Sequence, residues 1–218
     1  MDNNALFNLT YGLFVLTARD GEKDNGCIIN TAGQVTESPK RISVTVQKSN
    51  LTRDMILASG EFNVSVLSES ANFDLFTRFG FRSGRDADKF ADFTACKRAE
   101  NGVLYVTQGV NAFISGKVTD AIELGTHTMF IADVTGAEVL SDKPSATYAY
   151  YHANIKPKPQ QKAVSKDVIW RCTICGWEYN ETAGEPSMGI DPGTRFEDLP
   201  DDFVCVLCGH GKEFFEKV

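Results

Sequence analysis

Apolar and polar residues alternate along much of the first 150 positions. Ile42, Val44 and Val46 interleave with Ser43, Thr45 and Gln47, and Phe62, Val64 and Val66 with Asn63 and Ser65. A period of two predicts half-buried strands. Residues 13–17, 103–107, 113–118 and 129–134 read the same way. Two segments break the alternation. Residues 51–59 read as a helix capped by Ser49 or Asn50 and stopped at Gly60. Residues 71–79 read as a second, closed by Gly80, with Phe73, Phe76 and Phe79 on one face as core. The fold class expected is mainly β, an antiparallel barrel with helical insertions.

The pattern ends after Tyr150-Tyr151-His152. Residues 153–166 carry two prolines and four lysines, a composition that favours an extended, semi-rigid tether. Fourteen residues span at most ~46–50 Å. The expected organisation is a barrel over 1–152, a linker over 153–166 and a small domain over 167–218.

The small domain holds two matched turns, Cys172-Thr173-Ile174-Cys175-Gly176 and Cys205-Val206-Leu207-Cys208-Gly209. A CxxC turn lets two thiolates converge on one ion, and two turns complete a sulfur tetrahedron. The glycine after each pair permits the positive φ that aims backbone N–H groups at sulfur. Zinc and iron both accept such a site. Trp170, Trp177, Tyr179, Phe196, Phe203, Phe214 and Phe215 form a dense aromatic set able to shield one side of it. The stretches WRCTICGWEY, DPGTRFEDLPDDFVCVLCG and GKEFFE resemble rubredoxin. That resemblance implies a single iron on Cys172, Cys175, Cys205 and Cys208, carrying one electron at a time. Val206 and Phe203 depart from the family, which usually has proline and tryptophan there; neither departure removes a ligand.

Composition changes the picture little: of 218 residues, 42% are hydrophobic and 23% charged, as in a globular protein. No basic n-region leads into an apolar stretch at the start, and no apolar run reaches the ~20 residues of a membrane helix. Free thiolates on a redox metal suit a reducing compartment, so a cytoplasmic protein without membrane contact is expected. Cys27 and Cys96 show no metal spacing and read as inert buried thiols, with a mild cofactor contact as the alternative for Cys27. Charge is uneven. Residues 167–218 hold eleven acidic and four basic side chains, whereas 1–166 hold eighteen of each. Glu197, Asp198, Asp201 and Asp202 read equally as a solvated surface or as a docking face for a basic partner. No dense basic stripe supports nucleic acid as a partner.

Lys48-Ser49-Asn50-Leu51-Thr52 joins a strand to a helix, where free N–H groups and the helix dipole favour an anion. The same residues also serve as ordinary N-caps. The succession NGCIINTAGQVTESPKRISVTVQKSNLTRDMI, GEFNVSVL, RSGRDADKF and TYAYYH resembles the flavin reductase-like family. The resemblance implies an FMN-binding split barrel, generally a homodimer with flavin near the subunit interface. By position it places residues 25–32 along the isoalloxazine. Gly26 would allow close backbone approach, Asn25 and Ala32 would line the ring, and Asn30 and Thr31 would bond its edge. Gln47, Lys48, Ser49, Asn50 and Thr52 would hold ribityl and phosphate. Ser83, Gly84 and Arg85 would cover flavin or nicotinamide, with a solvated turn as the alternative. His152 would touch either ring or serve structure alone; His127 and His210 receive no role. No GxGxxG or P-loop sequence occurs, although split-barrel reductases take NAD(P)H without one. No hydrolytic grouping stands out.

Joined, the two parts resemble the high-molecular-weight rubredoxins. That implies NAD(P)H to FMN to iron, then to an external acceptor such as a flavodiiron NO or O2 reductase. Two alternatives stand beside it, a reductase that releases reduced flavin and a non-catalytic electron carrier.

Overall fold

The computed structural model describes residues 5, 8–157 and 168–218. The chain divides into two compact units, Met1–Pro157 and Lys158–Val218. In the first, seven strands form one antiparallel sheet. They are β1 (Phe14–Asp20), β2 (Lys23–Ile29), β3 (Ala32–Thr36), β4 (Arg41–Gln47), β5 (Glu61–Leu67), β8 (Val110–Leu124) and β9 (His127–Val139), in the order β2-β1-β5-β8-β9-β4-β3. Strands β2 and β3 stand at opposite ends of that order, yet only Asn30 and Thr31 separate them in the chain. The sheet must therefore curl until its ends approach, as a barrel does.

Alternation places Ile42, Val44, Val46, Phe62 and Val64 inside, each at most 6% exposed. Leu16, Cys27, Ile29 and Phe130 join them, and Met55 and Ile56 of α1 (Leu51–Ser59) plug the interior. Asn50 caps α1, its side chain accepting from the Thr52 N–H at 3.1 Å, and Gly60 ends the helix at φ 72°. The second helix, α2 (Phe73–Gly80), starts two residues later than expected. Asn72 caps it, and Gly80 lies within it rather than after it. Phe76 and Phe79 are buried, in a second core with Leu13, Val15, Leu67 and Tyr151.

Asn63 and Ser65 are not on a solvated face as their alternation suggests. Both are fully buried, because the short hairpin β6 (Cys96–Arg98) and β7 (Leu104–Val106) covers that side. Asn63 Nδ2 donates to the Val103 carbonyl at 2.8 Å, and the Val106 N–H donates to Ser65 Oγ at 3.0 Å. After α3 (Tyr148–Tyr150), a π-helical turn at Tyr151–Ile155 carries the first unit three residues past His152. Residues 158–166 of the expected linker lie outside the described residues. No helix among the described residues is long and apolar enough to cross a membrane.

In the second unit β10 (Ile169–Cys172) pairs on either side with β11 (Glu178–Asn180) and β12 (Phe215–Lys217). Its core is Tyr179, Phe196, Leu199, Phe203 and Phe215 beside Cys172 and Cys205. Trp170 stacks on Phe196 at 4.3 Å between ring centroids and donates its indole N–H to buried Glu181 at 2.9 Å. Phe214 is the exception among the expected aromatics, at 36% exposed.

A four-thiolate centre and a cleft at the barrel helix

The two CxxC turns are near copies of each other. Cys172 N–H donates to the Trp177 carbonyl at 2.8 Å and Gly176 N–H to the Cys172 carbonyl at 2.8 Å; Cys205 N–H donates to the His210 carbonyl at 2.7 Å and Gly209 N–H to the Cys205 carbonyl at 2.8 Å. Gly176 and Gly209 sit at φ 75° and 72°, where a side chain would be strained. All four sulfurs lie within 4.8 Å of one another, with Cys172–Cys208 at 3.7 Å and Cys175–Cys205 at 3.5 Å. A tetrahedron with ~2.3 Å metal–sulfur bonds has edges of about 3.8 Å, so the donor set fits one ion. The cysteines are free, not disulfide-bonded.

Burial divides the centre. Cys172 and Cys205 are 1% exposed against the aromatic core, while Cys175 and Cys208 reach the surface partially. Ile174, Val206 and Leu207 stand exposed beside them. Burial opposes ionisation of Cys172, but the backbone N–H groups of Cys175 and Ile174 prevail and draw its thiol down to about 7. At Cys175 the Trp177 N–H works the other way, yet burial and the neighbouring thiols push it up to about 12. Four thiolates at one point need a cation.

The expected flavin residues do not all meet. A cleft of ≈250 Å³ is lined by Cys27 and Ile28 of β2, by Ser49, Asn50 and Leu51 at the start of α1, by residues 79–84 and by Lys89. It brings Ser49, Asn50, Ser83 and Gly84 together. Arg85 lies next to it, donating to the Ser49 carbonyl at 3.4 Å and pairing with Asp54 at 2.6 Å. That guanidinium holds the Asp54 carboxyl below its ordinary range. Lys48 turns to Glu123 of β8, at 2.7 Å, and holds that carboxyl down at about 2. Gln47 is exposed and accepts from Ser49 Oγ at 3.5 Å.

Asn25 and Thr52 are buried and bonded to each other, Asn25 Nδ2 donating to Thr52 Oγ1 at 3.0 Å, which ties β2 to α1. Gly26 faces protein: a Cβ there would meet Thr17 at 3.1 Å and Phe79 at 3.2 Å. Asn30 and Thr31 form the passage from β2 to β3, where Thr31 Oγ1 donates to the Thr45 carbonyl at 2.7 Å. Ala32 lines a different, apolar cleft of ≈370 Å³ with Phe14, Ile42, Val64 and Ile114. His152 is exposed, edge-on to Tyr148 at 4.6 Å, and lines neither cleft. Lys89 carries no expectation from sequence. It stands within RSGRDADKF, but lysine is so rarely buried that nothing there marks it as interior.

Residues 6–158 match the flavin reductase like domain family and residues 169–215 the rubredoxin family. A high molecular weight rubredoxin of Moorella thermoacetica is 39% identical over 230 residues, covering all of both chains. A ferric-chelate reductase (NAD(P)H) of Archaeoglobus fulgidus is 38% identical over 163 residues, 75% of this chain and 96% of that one. Among solved structures, an NADH:FAD oxidoreductase of Streptomyces globisporus C-1027 superposes with TM-score 0.60 at 22% identity, covering 66% of this chain and 84% of that one. Flavoredoxin from Methanosarcina acetivorans gives 0.58 at 21%, covering 67% and 80%. These two share the fold. With both domains matched in order and a full-length relative at 39% identity, the chain belongs to the high molecular weight rubredoxin family, a flavin reductase-like split barrel followed by a rubredoxin domain.

Proposed function

We propose that this chain is an oxidoreductase that passes electrons from NAD(P)H through FMN to one iron on Cys172, Cys175, Cys205 and Cys208. The observation that carries this reading is a site of four convergent cysteines in the same chain as a flavin reductase-like barrel. When bound, flavin accepts a hydride and gives up electrons singly, and a mononuclear iron takes one at a time. The chain contributes position and exclusion of water. Ser49, Asn50 and the α1 N-terminus suit a phosphate, and Phe79 and Ile28 supply apolar cleft wall. Cys172 and Cys205 close one face of the metal site, and Cys175 and Cys208 open the other toward an acceptor. The ferric-chelate reductase relative supports NAD(P)H as donor. We further assign a homodimer, a cytoplasmic location and a flavodiiron protein as final acceptor. These rest on the family resemblance; the exposed Glu197, Asp198, Asp201 and Asp202 offer a face for a basic partner.

Anaerobic titration with NADH, and separately NADPH, tests this. The flavin and iron absorption bands should bleach in turn with at least one donor. No flavin bleaching with either would sink the enzyme reading, and flavin lost on gel filtration would favour a reductase that releases it.

A further inference from the structure

Lys89 is 3% exposed, yet among the described residues it forms no ion pair. Its ammonium has three donors. Two are used, toward the carbonyls of Gly26 at 2.8 Å and Phe79 at 3.1 Å. Phe79 lies in the last turn of α2, whose dipole supplies roughly half a negative charge. Compensation is therefore partial. Cys27 is no counter-ion, since burial pushes its thiol up and keeps it neutral. Burial also pushes the Lys89 ammonium below its ordinary value. A buried charge without a partner is costly, and this one lines the cleft.

Depth indicates which anion it meets. Cys27, Phe79, Gly84 and Lys89 are the buried part of the lining, Cys27 and Lys89 at 2% and 3% exposure, whereas Ser49, Arg82 and Ser83 are exposed at the rim. A strongly hydrated phosphate belongs at the rim beside the α1 N-terminus. The ring belongs on the floor. We propose that Lys89 stands at the pyrimidine edge of the flavin and stabilises the negative charge that the N1–C2=O group carries in the reduced ring. This rests on the flavin reading above. A hydride brings two electrons and one hydrogen to the ring. Without a second proton the reduced ring keeps one negative charge, and Lys89 balances it.

The test uses full-length Lys89→Met and Lys89→Arg, with FMN and riboflavin affinities and the two-electron midpoint potential of the bound flavin as readouts. Lys89→Met should weaken binding of reduced relative to oxidised flavin about tenfold, a midpoint about 30 mV more negative. FMN and riboflavin should suffer alike, and Lys89→Arg should restore most of the shift. Loss of FMN affinity with riboflavin binding unchanged places the lysine at the phosphate and overturns the proposal. Unchanged affinities and midpoint overturn it too, and leave the lysine only a cap on α2. If Lys89→Met does not fold, the wild-type protein decides: its reduced flavin should stay anionic to lower pH than free FMN. Protonation like that of free FMN overturns the assignment. Wild-type protein that binds neither flavin overturns the flavin reading itself.

Discussion

A methyl group added at Gly84 would collide with the side chain of Asn25, which is already fixed by its bond to Thr52. Gly84→Ala should therefore destabilise the barrel by about 1–3 kcal/mol, seen as a lower denaturant midpoint. A midpoint equal to wild type would show that the loop yields. At the metal site Cys172→Ser should purify without iron and lose the cooperative melting of the second unit, since metal binding contributes to folding. Binding there is also coupled to protons. Cys172 ionises near 7 and Cys175 only near 12, so the metal-free protein at neutral pH must release more than one proton to bind an ion. Apparent affinity for Cd2+ should rise steeply with pH and fall as thiols reprotonate in acid; a pH-independent affinity would contradict the coupling. At this scale the convergence of the four cysteines was legible, because CxxC spacing and the following glycine dictate local geometry. The expected flavin residues come together only in part. Lys48, Asn25 and Thr52 are polar at the expected places, but Glu123 takes Lys48, and Asn25 and Thr52 take each other.

Among the elements, α1 was legible because its start and stop signals are local, Ser49 or Asn50 at one end, of which Asn50 is the cap, and Gly60 at the other. Asn50→Ala should cost about 1 kcal/mol of stability and Asn50→Gly only a few tenths, by chemical denaturation. Equal losses would mean that the side-chain cap contributes nothing. The α1 N-terminus is also bound to the β8–β9 hairpin through Lys48 and Arg53, both paired with Glu123. The folded-state pKa of Glu123 is depressed from 4.5 to about 2. Its stabilising contribution is therefore complete above about 4.5 and lost as pH falls toward 2. Glu123→Gln should flatten that part of the acid-unfolding profile; an identical profile would show the pair to be screened. Strand interiors were legible from alternation, but β8 and β9 run well beyond the apolar cores that marked them. Their outer ends are exposed and carry no hydrophobic period.

For the whole molecule, each unit has its own apolar core, and the sequence between them is rich in lysine and proline. If tethering concentrates the metal domain near the flavin at millimolar levels, separating the units should make iron reduction second-order. At micromolar fragments it should slow by roughly a hundredfold or more. Stopped-flow traces that do not change with fragment concentration would rule the tether out as a source of rate. The two-part organisation, the β-rich class of the barrel and the pairing of four cysteines follow from sequence alone, because periodicity, composition and CxxC turns act over a few residues. The tertiary fold alone sets β2 and β3 at the two ends of one sheet and buries Asn63 and Ser65 beneath a second hairpin. It alone brought Lys89 beneath Gly26 and Phe79, 63 and 10 residues away. Those outcomes depend on which distant backbone groups compete for the same donors, and no local pattern records that competition.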